Sequence, residues 1–414
     1  MGDARLNTIM VIPTYWGREK AIGWQEGDAV YDHPTSLDEE GTLQRIIDST
    51  GILEGTDYQL VIIGVSTAAD IEPQVESKVM EVLNRSASRV KVHLFSHTHL
   101  KKAKQLLETK GRQNLAQLLS LRGYANVRNM CLFVANLLSA EVVILIDDDE
   151  QFHDPHFLTK ARQFIGKALQ GKPILAVAGY YVDAEENYLR QTEKKPWMTY
   201  WDKTGIMNRA FQQIIGAEPR LKETPFVFGG NMVLNRELFT RIPFDPGITR
   251  GEDIDYLINA RMFGYPLFLD NQLSIKHLAP HKPHPLWRQL REDIYRFVYE
   301  RAKIVSQKSR TGMTMVEPQS LDPYPGEFLK ENLPELIYKS NLMLAAEYLQ
   351  KGDTAASQEC LRNIYLGQFD ASPKIDPFDS LVALQKSWSQ LMEFSASEKV
   401  SVELKEALFG ETSP

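Results

Sequence analysis

The sequence predicts an α/β protein built on a mostly parallel sheet, followed by a region made of helices alone. Three observations carry this. Val142-Val-Ile-Leu-Ile146 is an unbroken aliphatic run, mostly β-branched, the pattern of a strand covered on both faces. Over residues 8–278 such runs alternate with amphipathic helical spacings, the rhythm of a parallel sheet with helical crossovers. After Pro285 only helical spacing remains, which sets a boundary between residues 1–285 and 286–414.

Taken in order, Thr8-Ile-Met-Val-Ile-Pro13 is a first strand, and proline is expected to stop it because it cannot donate to the ladder. Residues 17–38 form a long polar loop with Asp28, Asp32, His33 and Pro34, and loops of that length are usually functional or mobile. A helix is expected over 39–49, a strand over 58–64, a helix over 73–84 and a strand over 90–95. Lys101, Lys102 and Lys104 share a helix and read as its solvated face. An apolar helix containing Arg128 and Asn129 ends near Ala140 and feeds the aliphatic strand. An amphipathic helix over 155–169, with Pro155 in its first turn, precedes a strand over 174–182. An insertion rich in rings and charge follows, with Tyr188, Lys194, Lys195, Trp197, Tyr200 and Trp201. Phe226-Val-Phe-Gly229-Gly230-Asn231 reads as a strand ending in a glycine turn, 253–263 as a helix stopped by Gly264, and 267–278 as the last strand.

In the second region, 286–304 is a helical run dense in charge with apolar stripes, and 306–326 reads as a linker or a strap. Residues 333–365 form two antiparallel helices turning at Lys351-Gly352-Asp353, and a further helix spans 378–394. The alanine-rich pair resembles a tetratricopeptide hairpin, although no repeat accompanies it. Packing against the first domain and formation of a homo-oligomer both suit these helices.

The 414 residues allow two or three domains, and 43% hydrophobic with 24% charged content is that of an ordinary globular protein. A net charge of -7 argues against nucleic acid or an anionic membrane as the main partner. Cys131 and Cys360 lie in apolar helical patterns without metal-type spacing, as buried thiols in a reducing compartment do. Met1-Gly-Asp-Ala-Arg-Leu lacks the apolar core of a signal peptide, and no run approaches the length of a transmembrane span. A cytoplasmic location is expected.

The chemistry is expected at Asp147-Asp-Asp149-Glu150, directly after the aliphatic strand, because ligands bind at the C-terminal ends of parallel strands. Asp147 and Asp149 can share one hard divalent cation, Mn²⁺ or Mg²⁺, or one can hold the metal and the other a ribose hydroxyl. The bland alternative is a solvated acidic loop. Arg128 offers a planar, permanently charged fork for a diphosphate, or a surface ion pair. Glu252 and Asp253 open a helix, where they either complement its dipole or supply a base.

In their order, Pro13-Thr14-Tyr15, Arg128-Asn129, Asp147-x-Asp149, Gly229-Gly230-Asn231, Glu252-Asp253 and Lys276-His277 resemble the motifs of family-2 glycosyltransferases and their GT-A relatives, over roughly residues 7–285. The resemblance implies a Rossmann-like α/β/α sandwich, a nucleotide-sugar donor and a divalent metal. It implies donor contacts from Pro13, Thr14, Tyr15, Asp70, Arg128, Asn129, Asp147, Gly229, Gly230 and Asn231; for Tyr15, stacking on a base and capping the sheet are equal readings. It places the metal on Asp147, Asp149 and His277, and it puts Asp253, beside Glu252, in the base's position of an inverting displacement. Relatives with a metal-binding histidine retain configuration instead, which keeps that alternative open. The family places its acceptor near the insertion, so Trp197, Trp201 and the downstream His281 are acceptor candidates, for a carbohydrate or a small hydroxylated metabolite. The chain departs from the pattern at Trp16 and over Val65–Asp70, where only the last acid of an acidic turn survives; the nucleotide base stays open. A nucleotidyltransferase would need a glycine-rich phosphate loop after the first strand, which Pro13-Thr14-Tyr15-Trp16-Gly17 is not. A non-catalytic scaffold would have no use for this set of acids.

Overall fold

The computed structural model describes residues 6–280 and 284–410. Its strands are β1 (Thr8–Gly17), β2 (Thr35–Ser36), β3 (Tyr58–Ser66), β4 (Val92–Phe95), β5 (Val142–Ile146), β6 (Glu150–Gln151), β7 (Ala168–Leu169), β8 (Lys172–Pro173), β9 (Ala176–Val182), β10 (Leu221–Glu223), β11 (Asn231–Asn235) and β12 (Phe268–His277). The main sheet runs β10-β12-β9-β11-β5-β1-β3-β4, with β2 beside β1 and β6 beside β12. β4, β3, β1 and β5 pair in parallel, as do β9 and β12. β11 is antiparallel to both its neighbours, and β10 is antiparallel at the edge. This is the mostly parallel α/β sheet that the alternation predicts.

The period of two along the central strands sorts side chains into two layers. Ile9 and Val11 of β1 join Val61, Ile63 and Leu145 in one apolar cluster, against helices His97–Thr109, Tyr124–Leu137 and Glu252–Met262. Met10 and Ile12 join Leu60, Ile62 and Ile144 in the other, against Leu43–Ser49, Glu72–Arg85 and Phe157–Arg162. All five residues of β5 are 0% exposed, because both layers cover it. Full burial of each such aliphatic side chain contributes roughly 1.5–3 kcal/mol. The covered sheet therefore gives the loops at its edge a rigid base.

Three local expectations are corrected. β1 runs through Pro13 to Gly17: β5 pairs only with Thr8 to Val11, so at Pro13 the ladder continues on the β3 side alone and a missing N–H is tolerated. The helix expected over 155–169 is only Phe157–Arg162, because Gly166 and Gly171 adopt positive φ and turn the chain into the β7–β8 hairpin. The strand near Gly229-Gly230 follows the turn instead of preceding it, as β11.

The C-terminal region contains Leu286–Val305, Leu333–Gln350, Thr354–Tyr365, Pro377–Ala396 and a helix not expected from the pattern, Glu398–Phe409. The turn at Lys351-Gly352-Asp353 forms as expected, with the Asp353 side chain accepting from Ala356 N at the next helix start. These helices enlarge the first apolar cluster instead of building their own. Trp388, fully buried, donates its indole N–H to the Phe239 carbonyl at 3.0 Å, and Asn136 Nδ2 donates to the Met392 carbonyl at 2.9 Å. Among the described residues, no helix is long and apolar enough to cross a membrane.

Candidate functional site

A cavity of about 290 Å³ opens at the C-terminal end of β5. Its walls come from the end of β1, the Asp147–Asp149 turn, the Phe228-Gly229 turn, the start of helix Glu252–Met262 and the end of β12. The first three of these segments meet because the sheet order places β5 between β1 and β11.

The acids at its floor have different surroundings. Asp147 Oδ1 accepts from Arg128 Nη2 at 2.7 Å, and Asp148 Oδ2 accepts from Thr14 Oγ1 at 2.6 Å. Asp149 Oδ2 lies 3.3 Å from His277 Nε2, and the His277 ring stacks on Tyr181 at 4.6 Å. Glu150 is 0% exposed; its Oε2 accepts from Asp147 N at 3.0 Å while its Oε1 is buried without a partner. Burial, with the neighbouring Asp149, pushes Asp148 up to about 8. Burial also raises Asp147 against the pull of Arg128, and raises Glu150 strongly. For Asp149 burial works in the same direction, but the hydrogen bond and charge of His277 outweigh it and hold the carboxyl below its ordinary range.

A glycine turn packs directly on this floor. A Cβ at Gly230 would stand 2.1 Å from Glu150 Oε1 and 2.6 Å from Asp147 Oδ2, so only glycine fits there. Gly229 N donates to Asp253 Oδ2 at 3.1 Å, and Ile254 N donates to Asp253 Oδ1 at 2.8 Å, which fixes that carboxylate at the cavity wall. Glu252 beside it is buried, 3.6 Å from Arg128 Nε, and pushed up to about 7 by burial and by Asp253. Gly251 makes the preceding turn at φ 75°.

Of the sequence-predicted residues, the cavity brings together Tyr15, Arg128, Asp147, Asp149, Gly229, Glu252, Asp253 and His277. Tyr15 is half-buried and packs on Tyr31 and Tyr124, at ring distances of 4.5 and 5.4 Å. Others have different employment. Pro13 and Thr14 lie buried in β1, behind the wall, where Thr14 serves Asp148. Asp70 sits away from the cavity in an ion pair with Arg18 at 2.7 Å. Both ends of the Asn129 amide are used by the backbone of Phe244, each at 2.8 Å. Asn231 ties strands together through the carbonyls of Tyr180 and Leu273, and Gly230 donates its N–H to Tyr181 Oη. Trp197 and Trp201 are 7% and 2% exposed; Trp201 packs on Phe297 and Phe328 of the C-terminal region, so these rings are core and not an acceptor wall. His281 lies outside the described residues.

Sequence reasoning missed Tyr181, Arg190, Lys203, Arg250, Arg296 and Tyr324, all of which line the cavity. Arg250 adjoins the Gly251-Glu252-Asp253 motif and was legible by position. Arg296 was not, because a charged helix that turns a basic residue inward has the composition of a solvated one.

Among the described residues, no group of three or more His, Cys, Asp and Glu side chains is arranged to hold a metal ion. Asp147 is held by Arg128, which leaves Asp149 and His277 as an adjacent oxygen and nitrogen donor pair. Two protein ligands suit a cation that takes its remaining ligands from substrate phosphates and water. The mixed oxygen and imidazole set suits manganese better than magnesium. The orphaned Glu150 oxygen and the crowded carboxyls fit the same conclusion, since a cation would relieve both.

No protein-family model matches the chain, and none of the curated proteins does. Several solved structures are similar to it. A mannosyltransferase from Pyrobaculum calidifontis, solved with GDP-Man and Mn²⁺, is 14% identical with a TM-score of 0.45, over 96% of this chain and 88% of that one. Glucosyl-3-phosphoglycerate synthase from Mycobacterium tuberculosis, solved with Mn²⁺ and UDP-glucose, is 18% identical with a TM-score of 0.35, over 71% and 79% of the two chains. GalNAc-T7, solved with UDP, GalNAc and Mn²⁺, is 12% identical with a TM-score of 0.37, over 84% and 58%.

Proposed function

We propose that the chain is a metal-dependent glycosyltransferase that moves a sugar from a nucleoside-diphosphate sugar to an acceptor hydroxyl with inversion. The observation that carries this reading is the convergence of Asp149–His277 and of a backbone-fixed Asp253 on one cavity at the C-terminal end of the sheet. Asp149 and His277 would hold Mn²⁺ or Mg²⁺, which when bound supplies Lewis-acid neutralisation of the leaving diphosphate. Arg128 keeps Nε and Nη1 buried without a hydrogen bond, so its fork has donors left for diphosphate oxygens while Nη2 holds Asp147. Asp147, so oriented, is available to the ribose. Asp253 takes the proton from the acceptor hydroxyl, and Glu252 steadies Arg128 from the other side.

The test is a hydrolysis and transfer assay over a panel of UDP-, GDP-, ADP- and dTDP-sugars, with and without manganese. Activity is expected only with metal, and Asp149→Ala is expected to abolish it while the protein melts as before. Full turnover in excess EDTA would end the metal reading. NMR of the first-formed product decides the stereochemistry: an α-linked product from an α-linked donor replaces inversion by retention and leaves Asp253 as a binding residue.

A further inference from the structure

The proposed chemistry leaves one end of the cavity unassigned. There four basic side chains from separate segments gather: Arg190 after β9, Lys203 at the start of helix Lys203–Ile214, Arg250 before the Gly251 turn, and Arg296 of helix Leu286–Val305, with Arg250 in electrostatic range of Arg190 and Lys203, and Arg296 in range of Lys203. Three have acidic neighbours. Lys203 Nζ is 2.6 Å from Asp293, Arg250 Nη2 is 2.6 Å from Asp32, and Arg296 Nε is 3.0 Å from Glu300.

These neighbours do not exhaust the donors. Arg296 is 6% exposed, and its Nη2 is buried without any hydrogen-bond acceptor. Burial works against the charge of its partner Glu300 and pushes that carboxyl up to about 7, while Arg296 pulls it the other way. Arg190 is engaged only through its backbone, with Asn208, and its guanidinium makes no hydrogen bond or salt bridge among the described residues. Buried donors such as Arg296 Nη2 are ordinarily satisfied, and an unsatisfied one on a residue that lines a cavity marks a missing acceptor; Arg190 adds a solvent-exposed guanidinium to the same lining.

The basic end adjoins Asp253, which is in electrostatic range of both Arg190 and Arg296. A Cβ at Gly229 would be 2.9 Å from Arg128 Nη2 and 3.3 Å from Asp253 Cβ, whereas one at Gly251 would be 2.3 Å from Arg296 Nε. The carboxylate proposed as base thus has Arg128 near it beside Gly229 and Arg296 near it beside Gly251.

We infer that this basic end holds an anionic group of the acceptor, so that the acceptor is a small hydroxylated compound carrying a phosphate or a carboxylate. The word acceptor rests on the transferase reading; the anion rests on the unsatisfied guanidinium donors alone. A phosphate or carboxylate accepts paired N–H bonds from an arginine fork, and anchoring it there sets a neighbouring hydroxyl beside Asp253. A neutral acceptor would leave Arg190 and Arg296 as they are.

The experiment is a calorimetric titration of the full chain with glycerol, glycerate and glycerol 3-phosphate, with Mn²⁺, and with and without UDP or GDP. At least one charged compound is expected to bind about tenfold or more tightly than glycerol with the nucleotide present, and Arg190→Gln is expected to weaken it by a similar factor. Arg190 is exposed, so this variant should fold, and its melting curve checks that. Lys203→Gln gives an independent second variant with the same expectation. The better of glycerate and glycerol 3-phosphate tells carboxylate from phosphate. Equal affinity for glycerol and the charged compounds, displacement of the charged compound by nucleotide, or affinity untouched by both variants would each overturn the inference. If nucleotide and manganese bind but no charged compound does, the anion site falls and the transferase reading stands. If glycerol 3-phosphate binds but no nucleotide does, the transferase reading falls and the anion site stands.

Discussion

Helix Leu286–Val305 carries two buried cations two turns apart, and they meet opposite fates. Lys303, 0% exposed, donates to Asp255 Oδ1 and Oδ2 at 2.6 and 2.8 Å and to Asn259 Oδ1 at 2.9 Å, and lies 2.7 Å from Asp245. Asp245 also accepts from Tyr299 Oη at 2.8 Å and from Gly247 N at 2.9 Å. Every donor of that ammonium is spent, and the network ties the C-terminal region to the helix that begins at Glu252. Arg296 faces the cavity with one nitrogen unsatisfied. A closed network of this kind holds two elements in register; an open one on the same helix is what that register positions. The saturated cluster is structural and the unsaturated one awaits a ligand.

The comparison can be broken at either end. The largest effect is expected inside the cavity: Asp253→Asn should lower turnover by roughly 10²–10⁴-fold while donor binding and melting temperature stay close to wild type. Steady-state kinetics and a thermal melt measured together check it, and early melting would make Asp253 a structural acid. At the other end, Lys303→Met strands two buried carboxylates and should cost about 3–5 kcal/mol in urea denaturation. Its folded fraction should retain specific activity, and a stable but inactive protein would show that the buried trio acts in function. Third, His277→Ala should raise the manganese needed for half-maximal rate by roughly tenfold or more, since even groups that only support a metal ligand shift affinity that far. An unmoved manganese curve would leave Asp149 without its nitrogen partner.

The smallest effect separates the two clusters by the sign of a pH slope. Burial works against the charge of Lys303, but Asp245 and Asp255 outweigh it and hold the ammonium above its ordinary 10.5. Its contribution to stability is therefore full below that value and is lost as pH rises through the higher, folded one. For Lys203 burial prevails over Asp293 and pushes the ammonium down from 10.5 to about 8. The unfolded chain then holds a proton that the folded chain has released, so between those values stability rises with pH. Denaturation from about pH 7.5 to about pH 10 should thus show wild type gaining on Lys203→Met but not on Lys303→Met. Parallel slopes for the two variants would remove the electrostatic distinction between the clusters.

How far the sequence reached follows the range of the interactions. Periodicity is local, so the aliphatic β5, the glycine-stopped helix after Asp253 and the turn at Gly352 were placed within a few residues. The 155–169 helix was overextended because helical spacing continued past Arg162, where the helix ends before the positive-φ turn at Gly166. Asp149, His277, Asp253 and Arg128 were legible because each stands at the end or start of a recognisable element. Asn129 and Asn231 carried the same kind of motif signal yet serve the backbone, a distinction that only the positions of Phe244 and Leu273 decide.

By itself, then, the sequence determined the strand and helix alternation, the covered parallel sheet and the acid cluster at its edge, since each depends on side chains near in the chain. The tertiary structure alone decided that Asp149 and not Asp147 faces the imidazole, that Trp197 and Trp201 are core, and that Arg190, Lys203, Arg250 and Arg296 line one cavity. Those four lie on a loop, a helix start, a turn and a C-terminal helix, and no local pattern relates them. They converge because the C-terminal helices share the apolar cluster of the sheet, and burying that common surface is what carries an inward-turned arginine to the mouth of the site.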